Sequence, residues 1–214
     1  IPSRLVGSEM CIRDRTKMSE FSEELILKAK AIESLLIEKE IVDEDTLDLI
    51  VEEYEKNIGP HIGAKIVVRA WKDNEFKNKL LMEPTKTISE MGLIGFSGEH
   101  MVVLENTSKI HNIVVCTLCS CYPWAILGLP PKWYKSFQYR SRAVIEPKEV
   151  LKEFGITLDD EIEIKVWDSN ADIRYLVLPQ RPNGTEKLNE IELEKLVTRN
   201  SMIGTEILTY NAKK

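Results

Sequence analysis

Three cysteines lie within six residues of this sequence, at Cys116, Cys119 and Cys121. Thiolate sulfurs are soft donors for transition-metal ions, and three of them at this spacing can share a single ion. The spacing also brings the backbone between Cys119 and Cys121 against that ion. The segment therefore predicts a metal site, and most of what the sequence indicates about function comes from it.

The thiolates alone leave the kind of site open. A structural zinc site takes four ligands, and the nearest histidine in sequence, His111, is expected on the strand that leads into the loop. An iron–sulfur cluster also takes a fourth thiolate. A disulfide from Cys116 to either neighbour is a further alternative, whereas Cys119 and Cys121 are too close in sequence for good disulfide geometry.

Another arrangement uses the backbone as a ligand. A Cys-Ser-Cys turn can place the sulfurs of Cys119 and Cys121 and the amide nitrogens of Ser120 and Cys121 in one plane around an ion, with Cys116 on the axis. Deprotonated amide nitrogens suit a small trivalent ion, Co(III) or Fe(III), better than zinc. Five ligands leave one position open, which a Lewis-acid hydration catalyst requires.

The elements that must position this loop are short helices and strands, which predict an α+β fold. Strands are predicted around residues 101–104 and 113–115, over 161–167 and over 173–178, the last two joined by a turn at 168–170. Helices are predicted over 20–41, after a cap at 43–45, as two pieces over 61–83 that meet near Asp73 and stop at Pro84, over 146–154, and from an Asn189–Glu192 capping box to about Arg199.

The chain divides into three predicted parts. Residues 1–17, which contain Cys11, lack helical or strand periodicity, and we interpret them as a non-native or disordered leader. Residues 18–60 form a helical arm, and residues 61–214 form the metal-binding catalytic domain. The remaining cysteines all fall in one loop, which indicates a reducing cytoplasm and a metal site rather than a disulfide framework.

Charge and hydropathy exclude two classes of partner. The net charge is -6 and no Lys/Arg cluster is prominent, which argues against nucleic acid. No apolar run approaches the roughly 20 residues that span a bilayer, which argues against a membrane protein. No signal peptide of the expected form is present.

The motif Cys-Thr-Leu-Cys-Ser-Cys at residues 116–121 resembles the metal-binding loop of the nitrile hydratase alpha subunit. The resemblance covers essentially everything after Met18. It is carried by residues 57–65, 128–136, 177–182, 196–199 and 201–204. It implies an α+β fold in which a helical arm precedes a layered α/β/β/α metal-binding domain.

The resemblance also implies the chemistry of the centre. Thr117 in the second position of the motif goes with Co(III), with Fe(III) as the second choice. The metal ligands carried over are Cys116, Cys119, Ser120 and Cys121. Cys119 is expected as a sulfinate, Cys121 as a sulfenate and Cys116 as a thiolate.

The implied reaction adds water to a small-molecule nitrile and gives an amide. The attacking oxygen is either that of the Cys121 sulfenate or a metal-bound hydroxide.

Trp124 matches a position that lines the substrate pocket. Ser97 stands where the family usually has a Gln that faces the active site, which would enlarge the pocket. Cys119, Cys121, Ser97 and Trp124 are therefore the catalytic candidates. Asp172 and Arg174 match positions around the loop.

The resemblance further implies partners. A beta subunit supplies two arginines to the oxidised sulfurs, and the helical arm wraps that subunit. The expected assembly is an αβ heterodimer, with α2β2 as the larger form, and cobalt insertion is expected to need a metallochaperone. Two alternatives are the cobalt-binding subunit of thiocyanate hydrolase and a non-catalytic zinc-binding assembly module, which needs a fourth ligand and no cysteine oxidation.

Overall fold

The computed structural model describes residues 24–43, 45–46, 58–92, 100–119 and 121–210 of the chain. The chain divides into two compact units, residues 1–53 and 54–214. The described residues include no helix long and apolar enough to cross a membrane. The predicted division into a leader, an arm over 18–60 and a domain over 61–214 stays a prediction.

The first unit contains a helix over residues 24–38, which confirms the helix predicted there. Leu27, Ile32 and other apolar side chains of this helix are more than half exposed. Asp43 accepts a hydrogen bond from the backbone N–H of Thr46 at 3.1 Å, so it caps the next helical residues, 45–46, as expected. Most of the second predicted helix lies outside the described residues.

The described part of the second unit alternates short helices with four strands, β1 to β4. The strands are β1 His100–Glu105, β2 Ile110–Val115, β3 Glu163–Asp168 and β4 Ile173–Leu178. The α-helices are Pro60–Lys72, Asn74–Met82, Pro84–Ser89, Trp124–Leu127, Phe137–Ile145, Pro147–Glu153 and Glu190–Glu194, with a 3-10 helix at Lys132–Lys135.

Local signals in the sequence predict several of these boundaries. Asp73 caps the helix Asn74–Met82 by accepting from the N–H of Phe76 at 3.0 Å. The capping box of Asn189 and Glu192 is present. Pro84 stops the helix Asn74–Met82 as expected, and it also begins the next helix, because proline fits the first helical turn. One expectation is wrong. The last helix ends at Glu194 rather than near Arg199.

The strands form two parallel pairs. β1 pairs with β4, and β2 pairs with β3, so the two strands on either side of the 168–170 turn belong to different sheets. Helices 74–82 and 84–89 pack on β1, whereas helices 137–145 and 147–153 pack on β2 and β3. The sheets meet through β2, which contacts β1 and β4. This arrangement is the layered α/β/β/α domain that was expected.

A turn near the C-terminus joins the two sheets. The N–H of Val177 in β4 donates to the Met202 carbonyl at 3.0 Å, and the N–H of Val114 in β2 donates to the Ile203 carbonyl at 2.9 Å. Gly204 ends the turn with φ +92°, and a Cβ there would lie 1.9 Å from the carbonyl oxygen of Asn112. The close approach of this turn to β2 therefore requires glycine.

Candidate metal centre

The three cysteine sulfurs converge at the carboxyl end of β2. The Sγ atoms of Cys116 and Cys119 are 3.4 Å apart, and those of Cys119 and Cys121 are 3.0 Å apart. All three lie within 4.8 Å of one another. These separations are well beyond an S–S bond of about 2.05 Å, and the three cysteines are free. The disulfide alternative is therefore wrong.

The sulfur geometry fits a shared ion. With metal–sulfur bonds of about 2.3 Å, two thiolates at right angles are separated by about 3.3 Å and two at the tetrahedral angle by about 3.8 Å. The two separations between consecutive cysteines, 3.4 and 3.0 Å, agree with right angles rather than tetrahedral ones. In the described part of the chain, no His, Asp or Glu joins the three cysteines as a fourth ligand. The donor set fits a thiophilic ion of octahedral or square geometry better than structural zinc.

His111 is not placed as a ligand. It is buried on β2, and its Nε2 lies 2.7 Å from the carbonyl oxygen of Gly204. Burial lowers the pKa of this imidazole below its ordinary value, while the hydrogen bond to Gly204 opposes that shift. His111 therefore contributes to the packing of the C-terminal turn on β2.

The entry to the loop is held by the neighbouring strand. Cys116 follows directly after β2, and β3 ends at Asp168, which stands opposite Val115 in the register of the pair. The Asp168 carboxylate accepts from the backbone N–H of Thr117 at 2.9 Å and from its hydroxyl at 2.5 Å. Cys116 itself is fully buried. The ends of two parallel strands thus determine where the first cysteine lies.

The exit of the loop rests on an aromatic cluster. The Tyr134 hydroxyl donates to the carbonyl of Cys121 at 2.9 Å, and the Tyr139 hydroxyl donates to the carbonyl of Val114 at 2.7 Å. Trp133 packs edge-on against both tyrosines. The two hydroxyls therefore tie one rigid aromatic group to the strand before the loop and to the residue that ends it.

A third group contacts the middle of the loop. Arg140, in the helix Phe137–Ile145, donates from Nη1 to the carbonyl oxygen of Cys119 at 3.1 Å. The backbone N–H of Cys119 donates to the sulfur of Cys116 at 3.3 Å. These two contacts hold the backbone of Cys119 between the helix and the first cysteine.

Burial dominates the electrostatics of Cys121. It raises the pKa of the thiol to about 12, with the hydrogen bond to Cys119 adding to the shift and the charge of Arg174 opposing it. A thiol with such a pKa is protonated at neutral pH, and a bound cation is what converts it to a thiolate. The site is therefore suited to sulfur coordination rather than to a free nucleophilic cysteine.

The remaining residues predicted for the site or its surroundings are Trp124, Ser97, Ser120, Asp172 and Arg174. Trp124 begins the short helix after the loop and is 38% exposed. Ser97 and Ser120 lie outside the described residues. Arg174 is close enough to influence Cys121, whereas the carbonyl of Asp172 accepts from the N–H of His100.

Three residues that contact the loop were not predicted as part of the site: Tyr134, Arg140 and Asp168. Asp168 was interpreted only as a turn residue. Its position at the end of a β-rich segment was the one signal that could have identified it, because carboxyl ends of parallel strands often carry functional side chains. Tyr134 and Arg140 act through backbone carbonyls, for which the sequence carries no local signal.

Replacing Asp168 with alanine is expected to loosen the entry to the loop. The N–H and hydroxyl of Thr117 lose their shared acceptor, so a bound metal ion is expected to be held about 10- to 100-fold less tightly. The free energy of unfolding should fall by only about 1 kcal/mol, since water can reach Thr117. Chelator competition and urea unfolding measure the two effects. Asp160→Ala, which removes an exposed partner of Lys148, is the control. Equal metal retention in both variants would contradict the role of Asp168.

Comparison with known proteins identifies the family. The family model for the nitrile hydratase alpha chain matches residues 23–206. The low-molecular weight cobalt-containing nitrile hydratase subunit alpha of Rhodococcus rhodochrous is 54% identical over 90% of this chain and 93% of its own length. The cobalt-containing nitrile hydratase subunit alpha of Pseudonocardia thermophila is 52% identical over 90% of this chain and 95% of its own length.

More distant relatives share the fold. A double mutant of the Fe-type nitrile hydratase of Comamonas testosteroni Ni1 superimposes with a TM-score of 0.76 at 37% identity, over 90% of this chain and 96% of that chain. The thiocyanate hydrolase subunit gamma of Thiobacillus thioparus is 36% identical over 86% of this chain and 82% of its own length. The resemblance seen in the sequence is therefore confirmed: this chain belongs to the nitrile hydratase alpha chain family.

Proposed function

We propose that this chain is the metal-bearing subunit of a cobalt nitrile hydratase, which hydrates nitriles to the corresponding amides. The observation that carries the proposal is the set of three cysteine sulfurs within 4.8 Å on one loop, with the sulfurs of consecutive cysteines 3.4 and 3.0 Å apart. Family membership supplies the reaction class, and the loop supplies the site where it takes place.

Cobalt is the metal best supported. Thr117 occupies the motif position that goes with cobalt in this family. Two relatives that are more than half identical to this chain are named as cobalt-containing, and a third, from Rhodococcus sp, is named without a metal. When bound, Co(III) would supply Lewis-acid activation of the nitrile or of water at an open coordination position. Fe(III) is the second choice.

The proposed ligands are the sulfurs of Cys116, Cys119 and Cys121 and the backbone nitrogens of Ser120 and Cys121. We also propose that Cys119 matures to a sulfinate and Cys121 to a sulfenate. Cys119 is exposed while Cys121 is nearly buried, so oxidants reach the former more easily in the isolated chain. Trp124, partly exposed beside the loop, and Ser97 are the candidates for contact with the substrate.

Nitrile hydratase alpha subunits act with a beta subunit. We propose an αβ heterodimer, with α2β2 as its larger form and a metallochaperone for cobalt insertion. The helix over residues 24–38 presents exposed Leu25, Leu27, Ile32 and Leu35, which suits an arm that is buried only when the partner is present. A cysteine set used for metal rather than for disulfides supports a cytoplasmic location.

The test is expression with a beta subunit and cobalt, followed by metal analysis, peptide mass mapping and assays with several nitriles. The expected result is one cobalt per chain, two added oxygens on Cys119, one on Cys121, and conversion of nitrile to amide. Zinc bound by unmodified cysteines, without hydration of any nitrile, would overturn the proposal and favour a structural module.

Thiocyanate hydrolysis is a second candidate because a thiocyanate hydrolase subunit is 36% identical to this chain. The higher identity to nitrile hydratase subunits favours nitriles. Supplying thiocyanate to the same cobalt-loaded complex separates the two activities. Turnover of thiocyanate with none of any nitrile would reverse the assignment.

A further inference from the structure

Arg140 places a positive charge on one particular peptide group of the cysteine loop. Its Nη1 donates to the carbonyl oxygen of Cys119 at 3.1 Å. That oxygen belongs to the peptide that joins Cys119 to Ser120, so the nitrogen of the same peptide is the Ser120 amide. The contact therefore reaches, through one conjugated group, an atom proposed as a metal ligand.

The chemistry of a peptide ligand gives this contact a function. Resonance spreads electrons over the nitrogen, carbon and oxygen of a peptide group. When the nitrogen binds a metal as an anion, part of its negative charge therefore lies on the carbonyl oxygen. A guanidinium donating to that oxygen forms a charge-assisted hydrogen bond, which is stronger than one between neutral groups.

Among the described residues, Arg140 makes no ion pair. In the described part of the chain, no carboxylate lies within ion-pair distance of Arg140, and its buried Nε has no hydrogen-bond partner. Arg142, two residues later in the same helix, instead pairs with Glu146 at 2.5 Å and Glu153 at 2.6 Å. A cation left without a carboxylate and turned toward the loop is consistent with an anion that forms there.

The helix that carries Arg140 is held firmly against the loop. Ser136 caps it by accepting from the N–H of Tyr139 at 3.1 Å, and the Tyr139 hydroxyl bonds to Val114 in β2. Arg140 therefore extends from an element fixed to the strand that leads into the cysteines.

We propose that Arg140 is a positioning residue that stabilises the anionic Cys119–Ser120 peptide when its nitrogen binds the metal. The inference rests on the ligand set of the proposed function. It assigns to this chain a cationic group of its own for the backbone ligand, distinct from the arginines that the beta subunit is expected to bring to the oxidised sulfurs.

Nickel(II) is a suitable probe, because it favours square-planar sites and needs neither cysteine oxidation nor a change of metal oxidation state. The αβ complex is purified without cobalt, its thiols are kept reduced, and Ni(II) binding is measured by competition with a chelator. Wild type, Arg140→Gln, Arg140→Lys and Arg142→Gln are compared. Absorption and magnetic susceptibility report whether the bound nickel is planar and diamagnetic.

We expect planar Ni(II) in the wild type and affinity at least about tenfold weaker in Arg140→Gln, because a hydrogen bond to a charged group is lost. Arg140→Lys, which keeps the charge, should recover most of that loss. Arg142→Gln should match the wild type. Wild-type affinity and spectrum in Arg140→Gln would overturn the inference, as would paramagnetic, thiolate-only nickel in the wild type.

Circular dichroism of each variant checks the fold, and Arg140→Ala replaces Arg140→Gln if the latter does not fold. Failure of this inference and failure of the proposed function give different results. An Arg140 effect on planar nickel together with an inactive cobalt-loaded wild type would leave this inference standing and reject the nitrile reaction. An active cobalt-loaded enzyme in which Arg140→Gln binds nickel as the wild type does would reject this inference and leave the nitrile reaction standing.

Discussion

Replacing Cys121 with serine is expected to lower nitrile hydration by about a thousandfold or more, since a metal ion contributes several kcal/mol to transition-state stabilisation. The sulfur of Cys121 lies 3.0 Å from that of Cys119. The backbone nitrogen of Cys121 is a second proposed ligand. A serine hydroxyl is a poor ligand for a soft site. The measurement is the turnover number per chain, together with the cobalt content of the purified αβ complex.

The matched control is Cys11→Ser, the same substitution at a cysteine predicted to lie outside the centre. It should retain the cobalt content and turnover of the wild type. If Cys121→Ser kept cobalt and more than a tenth of the activity, the assignment of the catalytic metal site to this loop would be wrong. A similar loss in Cys11→Ser would show that residues 1–17 take part in the working enzyme.

Gly204→Ala is expected to produce the largest loss of stability, at least about 3 kcal/mol in the free energy of unfolding. The new Cβ would lie 1.9 Å from the carbonyl oxygen of Asn112, which is backbone of β2 and cannot rotate away. Either the turn or the strand must move, and both sheets bond to this turn. Urea unfolding of the chain measures the loss.

Gly155→Ala separates the clash from the cost of the backbone conformation. Gly155 has φ +81°, close to the +92° of Gly204, but a Cβ there meets nothing within 4 Å. Replacing Gly155 should lower the free energy of unfolding by only about 1–2 kcal/mol, which is the cost of an L residue in the left-handed conformation. Equal losses in the two variants would mean that the contact with Asn112 relaxes freely and does not hold the turn.

The cluster of three cysteine sulfurs could be predicted from the sequence because its determinants are local. Cys116, Cys119 and Cys121 are so close along the chain that folding has little choice but to bring their sulfurs together. The same holds for the caps at Asp73 and Asn189, where the side chain bonds to a backbone N–H three residues later. Such contacts depend on a few consecutive residues and can be identified from their types.

The surroundings of the loop could not be predicted in this way. Asp168 reaches Thr117 only because β3 pairs with β2, and Arg140 reaches Cys119 only because its helix packs on the same sheet. The local sequence pattern indicates that a segment is a strand or a helix. It does not indicate which strand pairs with it or which sheet it packs on. The strands at 163–168 and 173–178 show this directly, since they are adjacent in sequence and pair in different sheets.

The parallel pairing of β2 with β3 also bears on the order in which the chain matures. Ile110 pairs with Glu163, so a long stretch of chain must be made and closed before the two strands meet, and such non-local contacts form slowly. Until then the Asp168 anchor is missing from Thr117, while the three thiols are already synthesised and close together. A growing chain therefore carries a reactive thiol cluster before it carries a shaped site, and it is open to the wrong ion or to oxidation during that interval. A metal ion delivered after β2 and β3 have paired meets a loop already held by Asp168, so the time before that pairing is when the thiols are most open to the wrong ion.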